Sequence, residues 1–353
     1  MKRIKISVIP FLAAGLLQAQ ISVSGEINPY VMTRTINSSQ INLPFRLLSL
    51  DIGYSFEQFD LKTNYAIEHR IKTNKSQYDL RELYFAFYPE WGEVKLGKQI
   101  HSWGAADAIN PTNNLNPYDY YYMFKVGAGT KVGVFSLSST YYSDSFQIEI
   151  IVNPYFNKNR IPYDEDDFPL APDNEPVIRY SPNEEVEVGL KLQTSLTNSD
   201  ISLYFFSGND RSPSLYTGII SAESSTDLAM DLGYRKTTML GSDYVTFVGD
   251  FTVRAEGALY NTKTDPKNNV ESGSNIFVFT EDVIYSQYVL QLEYTTQNDL
   301  MLSGQFIGSN IITEDRKWLK SGNEISSSSM IIPEFSPGMG TPFAMFSDKA
   351  LLI

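Results

Sequence analysis

The sequence predicts an all-β protein: a transmembrane, antiparallel, up-and-down β-barrel of about fourteen or more strands. Three observations predict it. Runs of alternating apolar and polar residues fill most of the chain, short connections alternate with long ones, and a basic-then-apolar leader comes first. In the stretch 251–260, Phe251, Val253, Ala255 and Leu259 share one face of an extended strand, and Thr252, Arg254, Glu256 and Tyr260 share the other. A barrel needs only one apolar face per strand, so a slightly negative mean hydropathy is compatible with a membrane.

In the leader, Lys2, Arg3 and Lys5 precede an apolar run over 6–17, and Ala19 offers a small residue for cleavage before Gln20. The run falls short of the ~20 residues of a membrane helix. Residues 1–19 therefore read as a signal peptide for export across the inner membrane, and 20–353 as one barrel domain.

The strands follow in order. The first is 21–35, with Ile21, Val23, Ile27 and Val31 opposite Ser22, Ser24, Glu26 and Asn28. Next come 45–57 and 59–72, where Phe59, Leu61, Tyr65 and Ile67 oppose Asp60, Lys62, Asn64, Glu68 and Arg70. Strands at 78–89, 92–103, 129–142, 145–155, 184–196 and 200–208 lead to two hairpins, 234–247 with 250–262 and 285–297 with 299–310. Residues 343–353 offer a fourteenth strand, although Asp348 and Lys349 interrupt its pattern. The chain ends Leu351-Leu352-Ile353 rather than on an aromatic residue, so a missing last strand or strands is expected.

Short links fall near Gln58, Trp91, Asp144, Asn198, Gly249 and Asn298. Long ones fall at 36–44, 73–77, 104–128, 156–183, 209–233, 263–284 and 311–341. A barrel with short turns at one end and long loops at the other alternates in this way.

The absence of cysteine excludes disulfides and thiol chemistry. A net charge of −13 argues against a nucleic-acid partner. No catalytic residue, metal site or cofactor is assigned. Only two histidines exist, and His101 and its neighbour Ser102 point to opposite sides of a strand. The acidic run Asp164-Glu165-Asp166-Asp167 lacks the glycine and spaced glutamate of a calcium loop, and reads as solvated.

The segment Gly97-Lys98-Gln99, Trp103-Gly104, Asn110-Pro111 and Asn116-Pro117 resembles a marker of porin-like outer-membrane barrels, which carry Gly-Arg/Lys-Gln, Trp-Gly and Asn-Pro at the head of a loop. Alginate-export and phosphate-selective porins are among the families it resembles, and the hairpin around Gly249 is similar to uncharacterised barrels of the same kind. The resemblance implies a passive or substrate-biased diffusion channel in the outer membrane of a Gram-negative-type bacterium, surrounded by lipid and passing small polar or partly apolar solutes. The alternatives are a barrel that binds or exports a polymer or lipid, and a surface scaffold or adhesion barrel.

The candidate constriction is the loop 104–128, with a rim-packed external loop as its alternative. Asp107, Asp119, Tyr120, Tyr121 and Tyr122 are its pore-facing candidates. On the wall, the polar faces put Lys95, Gln99, His101, Trp103, Arg254 and Glu256 toward the lumen, where charged side chains either bias solutes or pair across strands.

Overall fold

Alternation becomes strand along most of the chain. The computed structural model describes residues 20–29, 31–107, 109–123, 125, 127–163, 165–168, 178–182, 185–220, 228–264, 276–296, 298, 300–320, 323–325, 330–342 and 347–352. The expected signal peptide lies outside them, as do residues 343–346 of the expected last strand. The strands are β1 (Gln20–Ile27), β2 (Phe45–Phe56), β3 (Phe59–Arg70), β4 (Lys75–Phe87), β5 (Gly92–Gln99), β6 (Val134–Tyr142), β7 (Phe146–Asn153), β8 (Ile178–Tyr180), β9 (Glu187–Ser195) and β10 (Ser199–Asn209). They continue as β11 (Ser214–Ile220), β12 (Leu228–Gly233), β13 (Lys236–Val248), β14 (Phe251–Lys263), β15 (Ile276–Thr295), β16 (Met301–Lys320), β17 (Asn323–Glu324) and β18 (Lys349–Leu352).

Setting aside β8, β11, β12 and β17, the other fourteen pair in chain order as an antiparallel meander from β1 to β18. β18 supplies the expected fourteenth strand. It pairs with β16, and β1 pairs with β2.

Several sequence expectations need correction. β4 starts at Lys75, so the link expected at 73–77 is a tight turn, with Asn74 at φ 50°, and the long-short alternation is broken there. β5 stops at Gln99, because the chain then leaves the wall. β15 and β16 run 20 residues each, so parts of the loops expected at 263–284 and 311–341 are strand. Twenty residues are about twice what lipid requires, and the upper halves of both strands stand clear of a bilayer. There β15 pairs with β11, whose hairpin partner β12 pairs in parallel with β8.

The two faces separate by chemistry. Leu61, Phe85, Leu137, Ile150, Leu203, Leu240, Leu259 and Leu290 are exposed on the outside. Their alternates Tyr204, Met239, Ala258, Tyr260, Val283 and Tyr285 are buried on the inside, packed with Trp103 and Leu115. An outward belt of this composition suits hydrocarbon. Leu240→Lys is therefore expected to cost about 2–4 kcal/mol in lipid-embedded unfolding experiments. A cost near zero would put that face in water.

Candidate functional site

After β5 the chain turns into the barrel. Residues 109 and 111–120 are buried without exception, and 110 is partly buried. A buried segment outside the sheet must still satisfy its backbone groups. The sequence Asn110-Pro111-Thr112-Asn113-Asn114-Leu115-Asn116-Pro117 does so locally. The two prolines bring no N–H, and the asparagine amides stand in for missing ladder bonds. Asn110 Nδ2 donates to the Ala106 carbonyl (2.6 Å) and Asn114 Nδ2 to the Pro111 carbonyl (2.8 Å). Asn116 closes the neck of the loop: its Oδ1 accepts from the His101 amide at 2.7 Å, and its Nδ2 donates to the Gln99 and Val132 carbonyls at 2.9 Å.

The wall holds the rest, and Glu256 on β14 is the main anchor. Its carboxylate accepts from the amides of Ala105 (3.0 Å), Ala106 (3.4 Å) and Thr112 (2.8 Å), from the Thr112 hydroxyl (2.8 Å) and from Asn110 Nδ2 (3.2 Å). Gly104 passes directly over it at φ +86°, where a Cβ would lie 2.6 Å from Glu256 Oε2. On β15, Gln291 Oε1 accepts from the Asp107 amide at 3.0 Å, and its Nε2 donates to the Asp107 carboxylate at 2.5 Å. Arg254 donates to the Ala105 carbonyl (3.2 Å) and lies 3.6 Å from Glu293. Trp103 lies 2% exposed. Its Nε1 donates to Glu149 on β7 at 2.8 Å, its ring packs on Tyr204 of β10 with centroids 5.1 Å apart, and Gly189 of β9 leaves room for its edge. Walls from β2 to β15 thus converge on one segment, which requires the sheet to curl around it.

Further along, Asp119 lies between Arg46 of β2 (3.4 Å) and Arg160 (3.1 Å). Arg160 also pairs with Glu68, which accepts from the Tyr122 hydroxyl. Burial pushes the Asp119 carboxyl up to about 6 despite those two guanidiniums. Tyr120 and Tyr122 are buried, and Tyr121 lies against Arg160 and donates to Glu165. A second segment enters from the far end of the chain: the Gly340 amide donates to Asn114 Oδ1 and the Thr341 amide to Gln287.

Of the wall candidates, Lys95 remains half-buried beside Glu93, while Gln99 bonds Ser136 and Ser138 and is buried. His101 is buried, with Nε2 2.9 Å from Ser136 Oγ. Burial, then the nearby Lys95, pushes its imidazole down to about 3, so it stays neutral. The structure thus brings Gln99, His101, Trp103, Asp107, Arg254 and Glu256 together at the head of the infolded segment, with Asp119 and Tyr120–Tyr122 deeper in the loop. Sequence reasoning noted Asn116 only as part of a motif, and missed Gln291, Tyr204 and Lys131 as members of this group. Gln291 carries no charge and no motif, and only its place in the alternation marked it.

The acidic run is not simply solvated. Glu165 forks onto Arg70, which holds its carboxyl below the usual range despite burial, and Asp167 accepts from Arg34 and the Asn42 amide. Both histidines also meet a serine, His69 with Ser76 on the neighbouring strand and His101 with Ser136 of β6. Among the described residues neither imidazole has the carboxylate partner on its other nitrogen that orients a base in nucleophilic hydrolysis.

No protein-family model matches the sequence, and no curated protein sequence does. Solved structures with a similar arrangement of strands include OmpT, an outer-membrane protein of Vibrio cholerae (11% identity, 87% of this chain and 89% of that one, TM-score 0.39), and the outer-membrane channel DcaP of Acinetobacter baumannii (9%, 85% and 94%, 0.40). An anion-selective porin from Comamonas acidovorans is a third (11%, 82% and 83%, 0.39). At such scores the assignment rests on the strand pairing and the two faces described above, which define an all-β transmembrane barrel.

Two outcomes are expected. Glu256→Ala strands several buried donors at once and should cost about 3–5 kcal/mol of unfolding free energy, with Glu256→Gln intermediate because it keeps one acceptor oxygen. Because His101 is neutral when folded, the unfolded chain takes up its proton first as pH drops below about 6.5. Stability is then lost toward pH 3 with a slope of about 1.4 kcal/mol per pH unit from this group. Urea midpoints measured against pH should fall less steeply in His101→Gln than in the parent protein.

Proposed function

We propose that the chain is a porin-like channel of a bacterial outer membrane, passing small solutes by passive diffusion through a lumen narrowed by the segment after β5. The observation that carries this reading is the asymmetry of the interior. The infolded segment packs against β7, β9, β10 and β13 to β15, where Trp103, Leu115, Tyr204, Met239, Tyr260 and Tyr285 form a dry cluster. On the opposite wall the inward side chains stay polar. Ser22, Ser24, Asp51, Lys62, Asn64, Glu82 and Tyr84 line a cavity of 150 Å³. A solute would follow this polar wall.

Mixed charge there, with acid in slight excess, favours cations weakly over anions. Lys95, Gln99, His101, Trp103, Asp107, Asp119, Tyr120, Tyr121, Tyr122, Arg254 and Glu256 then act in two ways. Lys95 touches the solute path, and most of the others set its width by holding the segment in place. Passage of this kind uses no cofactor or energy input.

Planar-bilayer recording tests the proposal. Small, discrete conductance steps are expected. Glu256→Ala, by loosening the segment, should give larger and noisier steps. A membrane that stays sealed with folded protein inserted would contradict the channel reading and favour a non-conducting barrel that holds a polymer or lipid at its long-loop end.

A further inference from the structure

Four cations are buried among the described residues: Arg46, Lys131, Arg211 and Arg235. Three have carboxylate partners, Arg46 in Asp119, Arg211 in Glu187 at 2.7 Å, and Arg235 in Asp210 at 2.6 Å. Lys131 is the exception. It is 4% exposed, its Nζ donates to the Asn113 carbonyl at 2.9 Å and sits 3.3 Å from the centre of the Tyr118 ring, and no carboxylate lies within ion-pair distance among the described residues. An ammonium has three N–H bonds to place. A carbonyl and an aromatic face compensate the charged form poorly, and burial pushes the Lys131 amine well below its ordinary range against the pull of Glu256, so that an anion in the site would restore the charge.

Beside Lys131 lies a cavity of 210 Å³, lined also by His101, Trp103, Asp107, Asn113 and Tyr118. Its walls are mainly polar, and the Asn113 Oδ1 atom is buried without a hydrogen-bond partner. The nearby acids are already committed: Glu256 to the amides of the loop, and Asp107 to Gln291. What the site lacks is an acceptor with a negative charge and a donor for Asn113.

We infer that this cavity is a binding site for a small aliphatic monocarboxylate, whose carboxylate pairs with Lys131 and whose hydroxyl, in a hydroxy acid, bonds Asn113. The size sets the class. The cavity is smaller than the roughly 300–1,000 Å³ of drug-sized pockets, so a few carbons fill it. The Asp107 carboxyl in the lining disfavours a second charge on the solute. Binding here does not depend on the channel reading, whose solute path follows the opposite wall.

Trp103 lines the same cavity and reports on it. In the purified, detergent-solubilised full-length protein, lactate should change tryptophan emission saturably, and lactamide, its uncharged counterpart, should not at equal concentration. Lys131→Met should raise half-saturation by at least about tenfold, the usual consequence of removing one partner of a buried charge pair, with folding checked by circular dichroism. If that variant does not fold, the comparison of lactate with lactamide on the parent protein decides alone. No saturable response, an equal response to lactamide, or undiminished affinity in folded Lys131→Met would each overturn the inference. The same sample in planar bilayers separates the two claims. Conductance without a lactate response removes the site and leaves the channel, and lactate binding without conductance does the reverse.

Discussion

One carboxylate on the inner wall determines how this barrel is filled. Glu256 gathers the backbone of 105, 106 and 112, and with it the position of the whole segment from His101 to Lys131. A wall of fourteen strands encloses more space than side chains alone can fill. Without an anchor, the loop would have no reason to prefer the lumen over water. With one, its amides exchange water for a charged acceptor, and its apolar residues Leu115 and Ile109 enter packed clusters. Gly104 is the local condition for this, since any side chain there would collide with the carboxylate it must pass.

The filling is lopsided, and the lopsidedness has a chemical cause. Inward positions of β10 and β13 to β15 carry Tyr, Phe, Met and Val, which pack against the segment. Inward positions of β1 to β4 are polar: Ser22, Asp51, Lys62 and Asn64 line a cavity, and Arg46, Glu68 and Arg81 reach the segment through polar contacts. Buried ion pairs such as Arg211 with Glu187 and Arg235 with Asp210 and Glu281 join the loop ends to the wall. Pairs this deep contribute little net stability but are expensive to break, so they hold one arrangement against others. At the rim, Arg70 with Glu165 and Arg34 with Asp167 do the same for the outer connections, with less force because water screens them.

Much of this was legible in the residues. Period-two alternation in β2, β3, β9, β13 and β14 marked both the strands and their faces, because one face meets lipid and the other does not. Gln99, His101, Trp103 and Glu256 were assigned to the inner face on that basis, and all four are buried. Less was legible where the membrane no longer dictates the pattern. β11, β12 and the ends of β15 and β16 beyond the membrane span pair with each other, and their side chains pack on one another (Leu215, Phe277, Phe279 and Trp318), so no regular lipid-facing alternation marks them. Lys131 could not be found from spacing. Its significance is the partner it lacks, which only the folded arrangement reveals.

Hydrogen exchange by mass spectrometry tests the anchored segment most directly. If Glu256 and Gln291 hold it in the lumen, the amides of 104–117 exchange as slowly as those of β13 and β14, and Glu256→Ala restores fast exchange there while the strands stay protected. Exchange of 104–117 within seconds in the parent protein, at the rate of exposed loops, would mean that the segment lies in water and that the interior is not filled in this way.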